Sequence, residues 1–572
     1  MPAASRNKIF CEERFKTLLG ASTVGMVIPI LILVANTAIV GNILDEKALA
    51  AMNVFMPLLT FFIGLSDIVS IGTSYIYNYL MGQADKPMAD RIFGQSLILS
   101  TILAILTFTL ANVCFGHYLA FLDVSDEMAR YVGECFTYYK YVLLLYPFYF
   151  LLSDMVLADG DARYSNLSNI FLLIGCIGVS ILACKAIGIA GIGLGALTGT
   201  AAATLILCLH FFRKGNSLRP RLFFSFKSLF YILRYSSVDA SLYLLVGIQT
   251  YALNKIMIIH YGEFYLPVLT LVTSIIQITI IFDGIGQAMS PLANVYHGEG
   301  NPDGVRKVMK ISIKTAIGEG LIFSALLACA APFLPHLFNI ESQELVPLTT
   351  KAFWIVCPTL FCTSLLFLFT SYFLVLRNIF HSLFICLLKD LVIPICSVLL
   401  FSDLFGFTGI WIGLALSPVL TISLTALISK LRFLKKKFPF FLDESPRKIY
   451  SFDFLVTPEN TMKIQDEVGR TLTRENVSSK SVIRAALLIE EIYMLLIEKN
   501  TPKVLLSELT IFLGDHVVMI FRDDGEIFDL TSESNATGSF RGFVVQNIME
   551  HQKDKKNITT TSYNRNFIIL PL

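Results

Sequence analysis

The chain has 572 residues, of which 55% are hydrophobic and only 15% charged, and its mean hydropathy is +0.67. A soluble protein of this length would not be so apolar, and repeated apolar segments of roughly 20 residues read as transmembrane helices. The net charge of +2 offers no basic surplus for a nucleic-acid partner, so the lipid bilayer is the partner that composition predicts.

The first sixteen residues are charged, and the apolar segment after them is long and followed by many others. This pattern predicts a first membrane helix rather than a cleaved signal peptide. Twelve helices are expected, at 17–41, 50–80, 92–116, 132–157, 166–187, 190–212, 229–260, 265–297, 309–334, 348–376, 381–401 and 406–430. Lys and Arg concentrate in the N-terminus, in the even-numbered connections and after the twelfth helix. Examples are Lys86 and Arg91, Arg213 to Lys227, Arg306 and Lys307, and Lys435 to Lys437. The positive-inside rule then puts both termini in the cytoplasm, as an even helix count also requires. The expected location is the plasma membrane of a bacterial cell, crossed many times. The eleven Cys all precede about residue 400 and stand mostly singly in apolar segments. They read as packing residues, and no metal site is expected.

The first 430 residues carry an internal duplication. At an offset of 216, Asp67 falls on Asp283, Ser74 on Ser290, Asn78 on Asn294, Gly82 on Gly298 and Arg91 on Lys307. Gly188, Gly191 and Gly195 match Gly406, Gly409 and Gly413 in a shared GxxGIxxG pattern, and Asn36 matches Asn254, both at an offset of 218. The predicted organisation is an N-terminal six-helix bundle (1–212), a basic linker (213–228) and a C-terminal six-helix bundle (229–430). Six helices per half give the two halves the same orientation, a parallel repeat. The glycines read mainly as close helix packing.

A Pro- and charge-bearing linker (431–447) leads to a predicted α/β domain at 448–572. Strands are expected at Tyr450 to Val456, Leu505 to Leu513, Val517 to Phe521 and Asn566 to Leu572. Helices are expected at Asn460 to Thr473, Ser479 to Lys499 and Val544 to Glu550.

Asp67 and Asp283 fall near the middle of their helices at equivalent places in the repeat. A carboxylate near the bilayer centre costs about 2.5–3.5 kcal/mol on insertion scales, so it normally faces a cavity or a partner. These two are the leading candidates for cation binding or proton exchange, against the plainer reading that each is capped and structural. Asp239 lies nearer a helix end. Lys255 is placed to snorkel outward, and Lys389 with Asp390 reads as a local ion pair. The 46 Phe suit an aromatic cavity for flat lipophilic cations, or a lipid-facing surface.

Residues 17–430 resemble the multidrug and toxic compound extrusion (MATE) transporters, within a superfamily that also holds polysaccharide and lipid-linked flippases. The stretches that carry the resemblance are Asn36 to Gly41 with Ala48 to Ala51 and Pro57, Gly72-Thr73-Ser74 with Gly82 to Asp85, and Ala158-Asp159-Gly160. The two GxxGIxxG openings, Gly286 to Pro291 and Gly298 to Asn301 complete the set. The resemblance implies a polytopic α-helical membrane protein with two bundles around a central cavity. It also implies antiport of small cationic or amphipathic substrates against Na+ or H+. Many members carry an Asp where this chain has Asn36. An amide cannot titrate, although it can ligate an ion.

In the tail, Glu490 and Glu491 on a helix, Asp523 and Gly525 after a strand, and Gly538 and Gly542 before a helix occur in the order of the GHKL ATPase fold. They resemble its anti-sigma-factor serine-kinase branch. The resemblance implies a GHKL-like sandwich in which Glu490 or Glu491 supplies the acid for ATP/Mg2+, the Asp523–Gly525 turn grips adenine, and Gly538 and Gly542 belong to the phosphate lid. The expected magnesium-ligating Asn falls on Leu495, so a domain without catalysis is expected. The readings that emerge are an exporter with a regulatory tail that binds nucleotide or a cytoplasmic regulatory protein, a membrane sensor that signals through its tail, and a flippase for a lipid-linked substrate.

Overall fold

The computed structural model describes residues 10–44, 46–121, 125–213, 215–337, 342–432, 442, 445–527, 541, 544–545, 556–558, 560 and 563–571. Among them are twelve helices long and apolar enough to cross a membrane. They are α1 (Phe10–Ile43), α2 (Ala50–Gly82), α3 (Lys86–Phe121), α4 (Asp126–Ala158), α5 (Ala162–Ile187), α6 (Ala190–Phe212), α7 (Phe226–Tyr261), α8 (Leu266–Gly298), α9 (Pro302–Ala330), α10 (Leu345–Val375), α11 (Ile379–Phe405) and α12 (Phe407–Leu431). Each predicted helix has its counterpart, and most extend a few residues further at one or both ends. The side chains of Val34, Phe61, Leu182, Leu205, Ile322 and Leu400 are exposed, as a hydrocarbon-facing surface requires.

The connections explain where the helices begin. Ser125, Asp161, Asn301 and Asn378 each accept a backbone N–H of the first turn of α4, α5, α9 and α11 respectively, which satisfies a donor that has no partner within the helix. The GxxGIxxG pattern packs helices closely, as expected. A Cβ at Gly195 would lie 2.6 Å from the Cys176 carbonyl, and one at Gly413 would lie 2.7 Å from the Ser397 carbonyl.

The halves meet at one end and part at the other. Phe15 and Leu18 of α1 and Tyr75 of α2 share a core with Met289 and Leu292 of α8 and Val308 of α9. Toward the other end each half has its own core, around Met52, Phe55 and Val142 in the first and around Val272, Phe353 and Trp411 in the second. The shared end is also where the C-terminal segment sits.

That segment forms β1 (Lys448–Val456), α13 (Pro458–Arg474), α14 (Ser479–Asn500), β2 (Leu505–Leu513), β3 (His516–Asp523), β4 (Lys556–Asn557) and β5 (Asn564–Pro571). The strands pair antiparallel in the order β1-β2-β3-β5-β4. Thr461, Ile464, Val468 and Leu472 make a buried stripe on α13, the spacing of an amphipathic helix. With Leu488, Ile492 and Leu496 of α14 it covers Leu509, Ile511, Met519, Phe521 and Ile568 on one face of the sheet. Most of the helix expected at Val544 to Glu550 lies outside the described residues.

Candidate functional site

A cavity of 410 Å³ lies between the two halves, lined from α1, α2, α4 to α8, α10 and α11. Its size falls in the range of about 300–1,000 Å³ common for small-molecule sites. Four carboxylates reach it, Asp67, Asp154, Asp239 and Asp283. The structure therefore brings together all three acids singled out from the sequence and adds Asp154 of α4. Asn36 also lines the cavity.

The backbone is irregular where charge meets the cavity. The α2 helix is interrupted directly after Asp67, and in α8 a 3-10 stretch, Ile278–Phe282, ends directly before Asp283. In α11 a π-helical turn, Leu388–Val392, carries Lys389 and Asp390. Such interruptions in a spanning helix are tolerated where they border a cavity, and π turns recur at functional sites.

The acids are held differently. The Ser70 hydroxyl donates to Asp67 Oδ1, and Gln287 Nε2 donates to Asp283 Oδ2 at 3.3 Å. Asp239 Oδ2 and Asn36 Oδ1 are buried and accept no hydrogen bond among the described residues. One ammonium stands opposite. Lys389 pairs with Asp390 at 2.6 Å and lies 4.0 Å from the centroid of the Phe367 ring. The local ion pair expected from sequence is present, and Lys389 also lines the cavity. The cavity's aromatic side chains are mostly tyrosines, among them Tyr139, Tyr146 and Tyr149. Carboxylates beside aromatic rings suit a cationic, partly apolar ligand.

Asn254 does not line the cavity. It lies fifteen residues along α7 from Asp239, about 22 Å of helix. Lys255 beside it is exposed, as a snorkelling side chain should be.

The tail's candidate residues are largely occupied by neighbours. Gln465 donates to Glu490 at 3.0 Å. Arg541 pairs with both Glu491, at 3.2 Å, and Glu498, at 3.0 Å. Asp523 Oδ1 accepts from the Gly525 N–H at 3.0 Å and from Asn564 Nδ2 at 2.8 Å. Burial pushes its carboxyl up to about 6, and those two bonds pull the other way. Leu495 is buried in the core between α14 and the sheet. Gly538 and Gly542 lie outside the described residues.

Comparison with known proteins accounts for the membrane half. The MatE family model matches residues 21–182 and 248–394, which together are more than half of the chain. A multidrug export protein, MepA, of Staphylococcus saprophyticus is 20% identical over 400 residues, 68% of this chain and 86% of that protein. Two solved structures share the fold. One is a MOP superfamily transporter from Pyrococcus furiosus, with a TM-score of 0.69 and 21% identity over 75% of this chain and 98% of that one. The other is an outward-facing multidrug resistance MATE family transporter, also with a TM-score of 0.69 and 21% identity, over 75% of this chain and 97% of that one. With twelve spanning helices in two repeats around a shared cavity, the chain belongs to the MatE family.

Proposed function

We propose that the chain exports small cationic or amphipathic compounds through the cavity between its halves, in exchange for Na+ or H+. The observation that carries this reading is the set of four carboxylates around one cavity against a single ammonium, itself paired with Asp390. An organic cation in that space would replace lost hydration with carboxylate charge, and its release would follow when a coupling ion occupies the same acids. The similarity to a multidrug export protein supports the same substrate class. Asn36 lines the cavity, and its amide oxygen accepts no hydrogen bond among the described residues. It could ligate Na+ and cannot carry a proton, so any proton exchange falls to the aspartates.

The distribution of Lys and Arg supports a cytoplasmic tail, and the similarity to a Staphylococcus saprophyticus export protein supports a bacterial plasma membrane. The tail at 448–572 is proposed as a regulatory domain related to the GHKL fold that has lost catalysis, because Leu495 stands where a magnesium ligand belongs and Arg541 neutralises Glu491. A second reading, a sensor that binds ligand without net transport, is favoured by Asn36 and by the tail's place against the membrane helices. The two separate in proteoliposomes holding the full chain. Ethidium flux driven by an imposed Na+ or pH gradient is the expected result, and ethidium binding with no driven flux under either gradient would refute export.

A further inference from the structure

The two faces of the tail sheet differ in kind. One packs against α13 and α14, and the other carries a row of ionisable side chains. Strand register places Asp453 beside Glu508, Glu508 beside Arg522, and Arg522 beside Arg565. Residues paired across strands share a face, so the row runs acid, acid, base, base across four strands. Glu508, Arg522 and Arg565 are buried. Two arginines directly opposed on adjacent strands repel unless an anion lies between them.

The membrane half supplies the complementary charges from one short stretch. Lys307 lies 3.0 Å from Asp453 and 3.7 Å from Glu508. Glu299 pairs with Arg522 and lies 3.0 Å from Arg565. The Tyr296 hydroxyl donates to Glu508 at 2.6 Å, and its ring lies 4.8 Å from the Arg522 guanidinium carbon. These contacts use the second copy of the internal repeat. In the first copy Glu299 is replaced by Gln83, which is exposed, so the row is keyed to one half.

The same row also reaches the other half. Arg565 Nη2 donates to the Met81 carbonyl. The Phe10 N–H donates to Asp453 at 3.1 Å, and Arg14 pairs with Asp524 at 2.9 Å. Met81 and Glu299 each adjoin a glycine of the repeat, and those glycines touch. A Cβ built on either Gly82 or Gly298 would lie 2.9 Å from the other's Cα. This backbone contact is a seam between the two repeats, eight residues along the chain from Ser74 in one copy and Ser290 in the other, both of which line the cavity. The guanidinium of Arg565 therefore bonds both repeat copies within one residue of the seam.

We propose that the tail is an intramolecular clamp, in which the charge row of its sheet bridges the two repeats at Met81 and Glu299 and holds the tail side of the cavity shut. Opening that side requires Gly82 and Gly298 to separate, and one guanidinium cannot keep both bonds as they do. Release of the tail from one half is then the step that licenses opening. Only the consequence for flux rests on the export reading, because the state of the seam can be measured without a substrate.

The test uses the full chain in nanodiscs, with hydrogen exchange followed at residues 76–82 and 290–298. Lys307 is partly exposed, so Lys307→Glu reverses one contact of the row with little risk to either fold. Exchange at the seam should rise at least about tenfold, and the charge swap Lys307→Glu with Asp453→Lys should restore protection. Glu299→Gln should raise exchange independently. Seam exchange equal to wild type in both Lys307→Glu and Glu299→Gln overturns the clamp. So does a rise that the charge swap leaves unrepaired, because that marks general loss of packing. Ethidium flux is read on the same proteins in proteoliposomes. If the seam responds as expected while no protein moves ethidium, the clamp stands and the export reading fails.

Discussion

Gly298→Ala puts a methyl group into the seam. Its Cβ would overlap the Tyr79 carbonyl oxygen and lie 2.9 Å from Gly82 Cα, whereas non-bonded carbons settle at about 3.5–4.0 Å. The neighbours are backbone and cannot rotate away, so the two helices must part by about an ångström. Overpacking of this kind costs about 1–3 kcal/mol. Alanine also raises helix propensity by about 1 kcal/mol over glycine, but Gly298 is helical whether or not the seam is closed, so that gain cancels from the equilibrium. The overpacking term falls on the closed state alone and lowers its weight by about 5- to 150-fold. Hydrogen exchange at residues 76–82 and 290–298 reads the change. Gly318→Ala is the control, because nothing lies within 4 Å of its added Cβ, and it should leave the seam unchanged. Unaltered or increased protection in Gly298→Ala would refute the seam as the closing contact.

Two further outcomes concern the tail. The Asp523 carboxyl is raised by burial to about 6, with Asp524 adding to the rise and Arg14 opposing it. The folded state holds its proton more tightly than the unfolded one, so this group contributes stability below about pH 4 that is lost as pH climbs to about 6, worth about 3 kcal/mol in all. Asp523→Asn should flatten that part of the tail's stability profile, read as unfolding midpoints from pH 4 to pH 7; an unchanged profile would contradict the assignment. Leu495→Asn restores the residue type expected of an ATPase but buries an amide in an apolar core. It should destabilise the tail by about 2–5 kcal/mol, and measurable ATP turnover by the unmodified chain, with Leu495 in place, would overturn the view of a non-catalytic domain.

Apolar segments and basic loops were enough to place twelve helices, because a spanning helix must be long, apolar and internally bonded. The repeat exposed Asp67 and Asp283 because each copy supports the other. Asp154 has no such support, since its place in the second half falls among Thr370, Ser371 and Tyr372; the rarity of acids in membrane helices was the one signal for it. Asn254 shows the reverse relation between repeat and cavity. The repeat pairs it with Asn36, but only Asn36 borders the cavity. The charge row of the tail was beyond reach for a different reason. Asp453, Glu508, Arg522 and Arg565 sit at alternate strand positions, where a polar residue ordinarily means a solvated face. Strand register and the docked helices are what turn four separate charges into one surface.

The central claim is export through a cavity whose acids couple it to an ion. Ethidium efflux from cells making the full chain, compared with cells making Asp67→Asn/Asp283→Asn at equal membrane abundance, tests it most directly. The account predicts efflux above that of cells without the protein, and its loss in the double variant. Equal efflux by the two proteins would contradict the role given to the acids, and no efflux by the full chain would contradict the claim itself.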